Sequence, residues 1–137
     1  MSDLAQHARS LAGTAARVEE YAIDSGRMLR VDIQPGRPDA RGISLLAAHG
    51  WLMLSAGHIG GQWELDCEDD AELARDLIAS IISGRVEERF GLSRSVVTVT
   101  LASGSKHSEI GYDGLSSLVP QPGWKRRGRR IQYAPYR

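Results

Sequence analysis

Two runs of charge are the places where this sequence concentrates chemistry. Asp66, Glu68, Asp69, Asp70 and Glu72 crowd five carboxylates into one short stretch. Such a run can occupy a cationic active-site cleft of a toxin or nuclease and speed association, or oppose the positive end of a following helix. Near the end of the chain, Trp124, Lys125, Arg126, Arg127, Arg129 and Arg130 join an aromatic ring to five cations. Trp124 could stack on a base while the cations neutralise phosphates. Equally, the arginines could solvate an edge strand or pair with the acidic run inside the same fold. The chain uses 15 arginines against 2 lysines and has no asparagine, a bias that weakens any reading from arginine abundance alone.

Other reactive types are scattered. His49, His58, His107, Asp66 and Cys67 are residues that zinc accepts, but none stands at the short ligand spacing of a zinc finger or a two-histidine helical motif. No metal or other cofactor is expected. Nucleophilic catalysis needs an activated Ser, Thr or Cys beside a base and an oxyanion hole. There is no Gly-x-Ser-x-Gly elbow. Ser105, His107, Ser108 and Glu109 share one strand, whose alternating faces keep them from converging as a triad. Acidic neighbours of Cys67 disfavour its thiolate, so a passive residue is expected there. Gly57-His58-Ile59-Gly60-Gly61 matches neither a P-loop nor a dinucleotide fingerprint and reads as a hairpin loop. Nothing here reads as an enzyme.

Length and composition set the frame for these residues. With 137 residues, 42% apolar and 25% charged, the chain suits one compact domain and is unlike a disordered segment. One cysteine allows no internal disulfide. No run approaches the roughly 18 apolar residues that span a bilayer, and Met1 to Arg9 lacks a basic-then-apolar leader. A cytoplasmic location with no membrane partner is therefore expected. The formal charge is zero, yet it is polarised: six basic residues face eleven acidic ones up to Asp70, and eleven face six beyond it. A global cationic field of the kind that drives nonspecific nucleic-acid binding is missing.

Periodicity then assigns the elements. Ser2 caps a helix whose apolar positions Leu4, Leu11, Ala15, Val18 and Ala22 follow the three-and-four spacing of one face. Tyr21 to Ile23 reads as its last turn or as the first strand of a hairpin through Asp24-Ser25-Gly26. Strand alternation marks 28–34, 43–48, 51–56 and 62–65, with His49-Gly50 as a tight turn. A second helix starts at Asp69 or Asp70, buries Leu73, Ala74, Leu77, Ile78, Ile81 and Ile82, and stops at Gly84. Strands resume over 86–90 and 94–101, and Ser103-Gly104-Ser105 turns the chain into 106–112. The sum is an α+β domain over 1–137, its N-terminal and central helices packed on a mainly antiparallel sheet of about six or seven strands. The basic, aromatic segment 113–137 is expected to dock on that sheet through Trp124 and Ile131 to Tyr133, because its rings would otherwise face water.

Several stretches also carry a resemblance: Trp51-Leu52-Met53-Leu54, Gly60-Gly61-Gln62-Trp63-Glu64-Leu65, Gly84-Arg85-Val86-Glu87-Glu88, Arg94-Ser95-Val96-Val97-Thr98-Val99, Pro122-Gly123-Trp124 and Tyr133-Ala134-Pro135-Tyr136. Together these resemble small actinobacterial proteins of the polymorphic-toxin immunity type. The resemblance implies a stoichiometric inhibitor that binds a cognate protein toxin and blocks its active site, with no catalytic residues of its own. Two alternatives stand beside it: a nucleic-acid-binding accessory protein using the basic C-terminal segment, and a small enzyme whose site no motif connects. Monomer and homodimer both remain open.

Overall fold

The computed structural model describes residues 1–137 as an α+β structure with two antiparallel sheets. Helix α1 (Ser2–Ala12) buries Leu4, Ala5, Ala8 and Ala12, a stripe of mostly small side chains that lets the helix lie close to its neighbours. It ends at Gly13, whose φ of +56° belongs to the region where a side chain is strained. The helix therefore stops ten residues short of Ala22, and the apolar spacing that extended it has a different meaning. Ala16, Val18, Glu20 and Ala22 lie on one face of strand β1 (Ala16–Ile23), which pairs along its whole length with β2 (Met28–Pro35). Val18 and Ala22, four apart, satisfy a helical and an extended period at once, and pairing decided between them.

The first sheet is an up-and-down meander in the order β1-β2-β3-β4-β5, completed by β3 (Ile43–Ala48), β4 (Trp51–Ser55) and β5 (Gln62–Asp66). His49 and Gly50 both adopt positive φ, as a two-residue hairpin turn between right-twisted strands requires. Val31, Leu45, Leu54 and Trp63 stand opposite one another across four strands and are all buried. Helix α2 (Ala71–Ile82) follows. Its Leu77, Ile78 and Ile81 are fully buried, each stabilising the fold by about 1.5–3 kcal/mol relative to exposure.

The expectation of a single sheet of six or seven strands is corrected: nine strands divide into sheets of five and four. The second has the order β8-β7-β6-β9, from β6 (Val86–Gly91), β7 (Arg94–Thr100), β8 (Lys106–Tyr112) and β9 (Arg129–Gln132). Of the two additional strands, β1 comes from a segment whose pattern fits helix and strand, and β9 from the C-terminal segment expected to dock. A helical turn α3 (Trp124–Arg127) precedes β9, which pairs with β6. Just beyond it, Tyr133 and Tyr136 enter the core, and the Tyr136 hydroxyl donates to the Arg41 carbonyl at 2.8 Å.

The two sheets close on one cluster of 24 buried residues drawn from both of them and from α1 and α2. They also touch directly. Gly61 N–H donates to the Glu109 carbonyl at 3.1 Å, and Ala134 N–H to the Asp39 carbonyl at 2.9 Å. At the first seam Gly60 and Gly111 are there for want of space: a Cβ on Gly60 would run into the Ser95 and Glu109 carbonyl oxygens, and one on Gly111 into that of Ile59. No helix is long and apolar enough to cross a membrane.

Candidate functional site

The acidic run sits at the junction from β5 into α2. Asp66 accepts from the backbone N–H groups of Glu68 (2.8 Å) and Asp69 (2.9 Å), while the Asp66 N–H donates to the Asp70 carboxylate at 2.8 Å. These bonds hold the chain in the turn that opens the helix. The N–H donors of Asp69, and then of Glu68, hold the Asp66 carboxyl below the ordinary carboxylate range, against a small opposing effect of desolvation. Asp66, Glu68, Asp69 and Glu72 are exposed and Asp70 is half-buried. None of the five forms an ion pair within the chain. The expected alternative in which the tail arginines neutralise this run is thereby corrected. Arg130 pairs with Glu87 at 2.6 Å instead, and Arg129 lies over the Phe90 ring at 5.0 Å.

The run borders a sheet face that carries apolar side chains. Strand alternation turns Val31, Leu45, Leu54 and Trp63 inward and leaves their neighbours on the outer face. The helices share the core with the inner side. On the outer face one register row is Trp51 beside Asp66, and the next runs Tyr21, Arg30, Leu46, Met53, Glu64. Trp51, Met53, Leu46 and Met28 are half-buried and Tyr21 is exposed. The following row, Glu19, Asp32, Ser44, Ser55, Gln62, is polar. Asp32 is committed inside the chain: it accepts from Tyr21 (2.6 Å) and from Arg30 (3.1 Å). Burial alone would raise its pKa, but those bonds hold it below the usual range. Glu64 has no cationic partner. Thus an aromatic and aliphatic strip lies directly against unpaired carboxylates.

The basic segment is arranged differently. Lys125, Arg126 and Arg127 are exposed on α3 and line an open groove with Arg94 and Pro120–Gly123. Trp124 lines the same groove but shows it only a sliver of its side chain. It is 8% exposed and packs beside Gly91, so stacking on a base would require it to leave its seat. Arg129 and Arg130 lie on β9, engaged with Phe90 and Glu87 as described. The six residues grouped by sequence therefore divide into an anchor, three free cations and two cations committed to the second sheet.

A third cluster was not anticipated. Glu88 on β6 is completely buried, and its carboxyl accepts three hydrogen bonds: from the Tyr133 hydroxyl (2.7 Å), the Ser95 hydroxyl (2.7 Å) and the His58 backbone N–H (2.8 Å). The Ser95 hydroxyl in turn accepts from Gly60 N–H at 2.6 Å. Burial first, and then the bond to Glu88, pushes the Tyr133 phenol well above its ordinary pKa. The His58 Nδ1 lies 3.7 Å from Glu88 but 3.0 Å from Nη1 of Arg41, whose other nitrogen donates to the Gly57 carbonyl at 2.7 Å. A guanidinium can only donate, so Nδ1 accepts and the ring hydrogen is on Nε2. That tautomer does not present an N–H to the carboxylate, the arrangement that would orient a histidine as a general base. Ser95 Oγ, at 0% exposure, is committed both as donor and as acceptor. The cluster ties the Gly57–Gly61 loop and the C-terminal segment to the second sheet.

No family model, curated protein or solved structure matches the chain. Its chemistry must be taken from the residues themselves. No group of three or more His, Cys, Asp or Glu side chains comes together in a way that could hold a metal ion. Cys67 is a half-buried free thiol between β5 and α2. The buried cluster had one visible signal: on β6, Val86 and Glu88 share a face, which places a carboxylate at a core position. The apolar strip had another, since the tight His49-Gly50 turn fixes the register of its two strands.

Proposed function

We propose that this protein is a non-catalytic binding module, an immunity-type inhibitor that covers the active site of a cationic protein toxin with the outer face of its first sheet and the adjoining acidic turn. One observation carries this reading: Trp51 stands in register beside Asp66, so an aromatic side chain and unpaired carboxylates share one surface. Interface centres favour aromatic anchors, and charge of one sign around them steers a partner of the other. The carboxylates Glu64, Asp66, Glu68, Asp69 and Glu72 suit a cleft lined with lysine and arginine, such as one that binds phosphates. The commitment of Ser95 and Glu88 to internal hydrogen bonds supports the non-catalytic part of the reading.

The test is to look for a secreted toxin encoded beside its gene, whose absence would remove the proposal, then to co-express the two and measure the purified pair by calorimetry. Growth should be restored and binding should be one to one. Trp51→Ala should weaken binding by about 2 kcal/mol or more, as central aromatic anchors do. A Glu68→Ala/Asp69→Ala variant should instead slow association and flatten its salt dependence. Growth that is not restored, or binding indifferent to Trp51, would remove the proposal.

A further inference from the structure

Beyond β8, apolar side chains protrude into solvent. The short 3-10 turn Leu115–Leu118 joins β8 to the basic segment, and it leaves Leu115 85% and Leu118 79% exposed. Tyr112, Val119 and Leu92 beside them are 58%, 50% and 45% exposed. These residues belong to one place. Arg94 donates to the carbonyls of Leu92 (2.8 Å), Ser117 (3.0 Å) and Val119 (2.5 Å), and its guanidinium lies over the Tyr112 ring at 5.5 Å. Leu92 N–H donates to Gln121 at 2.6 Å, and the Ser93 and Ser116 hydroxyls bond to each other. The turn is therefore fastened to the β7 end of the second sheet and holds its leucines outward. Arg94 also lines the groove that continues into Lys125, Arg126 and Arg127, three exposed cations with no carboxylate partner.

We infer that this face, Leu92, Tyr112, Leu115, Leu118 and Val119 with Lys125–Arg127 as its flank, docks on the surface of an anionic phospholipid bilayer. Charge complementarity selects the occupant: apolar groups that stand proud, with three cations on one flank against the single exposed carboxylate of Asp113, match acyl chains beneath a layer of negative headgroups. Leu115 and Leu118 stand out from a turn and can enter an acyl layer without a matching pocket on the other side. Tyr112, with an apolar ring and a polar tip, suits the boundary between the two layers. Two signals together, a few inserted side chains and a basic patch, give reversible attachment without a spanning segment. The acidic face lies elsewhere on the molecule, on the first sheet, and this docking does not depend on the function proposed for it.

Flotation of the full chain with vesicles tests this. It should float with phosphatidylcholine vesicles containing about 30 mol% phosphatidylserine, not with phosphatidylcholine alone, and should be released by salt. Leu115→Ser and Leu118→Ser should each lower partitioning about tenfold, and Lys125→Ala, Arg126→Ala and Arg127→Ala about fivefold each. All five side chains are exposed, so these variants keep their fold, which circular dichroism checks. Failure to float with either vesicle, or unchanged flotation of the two leucine variants, overturns the inference. So does concentration-dependent self-association that Leu118→Ser abolishes in the absence of vesicle binding, which would assign the patch to a second copy.

Discussion

The two sheets reach stability by different routes. In the first, five strands follow one another in sequence, each pairing with the one before it, and an unbroken apolar row from Val31 to Trp63 sets the register. In the second, β6 lies between β7, its neighbour in sequence, and β9, about forty residues further on. Its interior includes the carboxyl group of Glu88. The first sheet depends on local turns and area buried from water, and the second on a distant strand and a polar cluster whose members must all be present. The difference teaches that the two halves should respond unequally to loss of a single element.

The largest effect should come from ending the chain at Gly128. This removes β9, Tyr133 and Tyr136, exposes the β6 edge and leaves Glu88 without one of its three donors. The loss should exceed about 5 kcal/mol, comparable to the whole stability of a small domain. Thermal and urea scans should show no cooperative transition. A truncated chain that unfolds as sharply as the intact one would break the contrast.

Next in size is Glu88→Ala, which strands the Tyr133 and Ser95 hydroxyls and the His58 N–H in a closed interior. A cost of about 3 kcal/mol or more is expected from urea unfolding, with Glu88→Gln retaining part of it because one acceptor oxygen survives. If the alanine variant stays within about 1 kcal/mol of the parent, the cluster is ornamental and the sheets are alike after all.

Gly111→Ala tests the seam between them. The methyl group meets the Ile59 carbonyl, so the loop or β8 must shift, at about 1–3 kcal/mol. The same substitution at Gly104, in the open turn with nothing nearby, probes only its positive φ and serves as the control.

The smallest effect belongs to the acidic turn. Asp66 is held below its ordinary pKa by the Asp69 and Glu68 N–H groups. A depressed carboxyl contributes stability above its unfolded pKa, near 4, and loses it as the pH falls through the lower folded value. Asp66→Ala should therefore be slightly less stable than the parent at neutral pH, and the gap should close in the acid range. A gap that is constant with pH would mean that the charge plays no part.

Most of the first sheet and α2 could be read from sequence because each signal was local: strict alternation in 28–34 and 51–55, a two-residue turn at His49-Gly50, a wide apolar face from Leu73 to Ile82. Segment 16–23 escaped because Val18 and Ala22, four apart, fit both periods, and only pairing with β2 distinguishes them. The partner of β9 escaped because nothing local encodes a contact over such a separation. The acidic and basic runs were visible as charge, and the burial of Trp124 followed from the cost of leaving its ring in water, but Trp51 standing beside Asp66 depends on tertiary placement. Leu115 and Leu118, two apolar residues in a Gly- and Pro-bounded connection, gave no periodic signal at all.

Strand β1 has one further bearing on how this molecule behaves in company. One of its two edges pairs with β2, and the other offers free backbone groups along an eight-residue extended segment, the sort of template on which fibres grow. Arg17, Glu19 and Glu20 stand on that segment, and Arg17 with Glu19 and Arg9 with Glu20 are bonded to one another at 3.0 and 2.9 Å. A second molecule approaching edge-on would have to strip water from four charges before gaining its first ladder bond. Those charges are the guard this edge carries against pairing with a copy of itself.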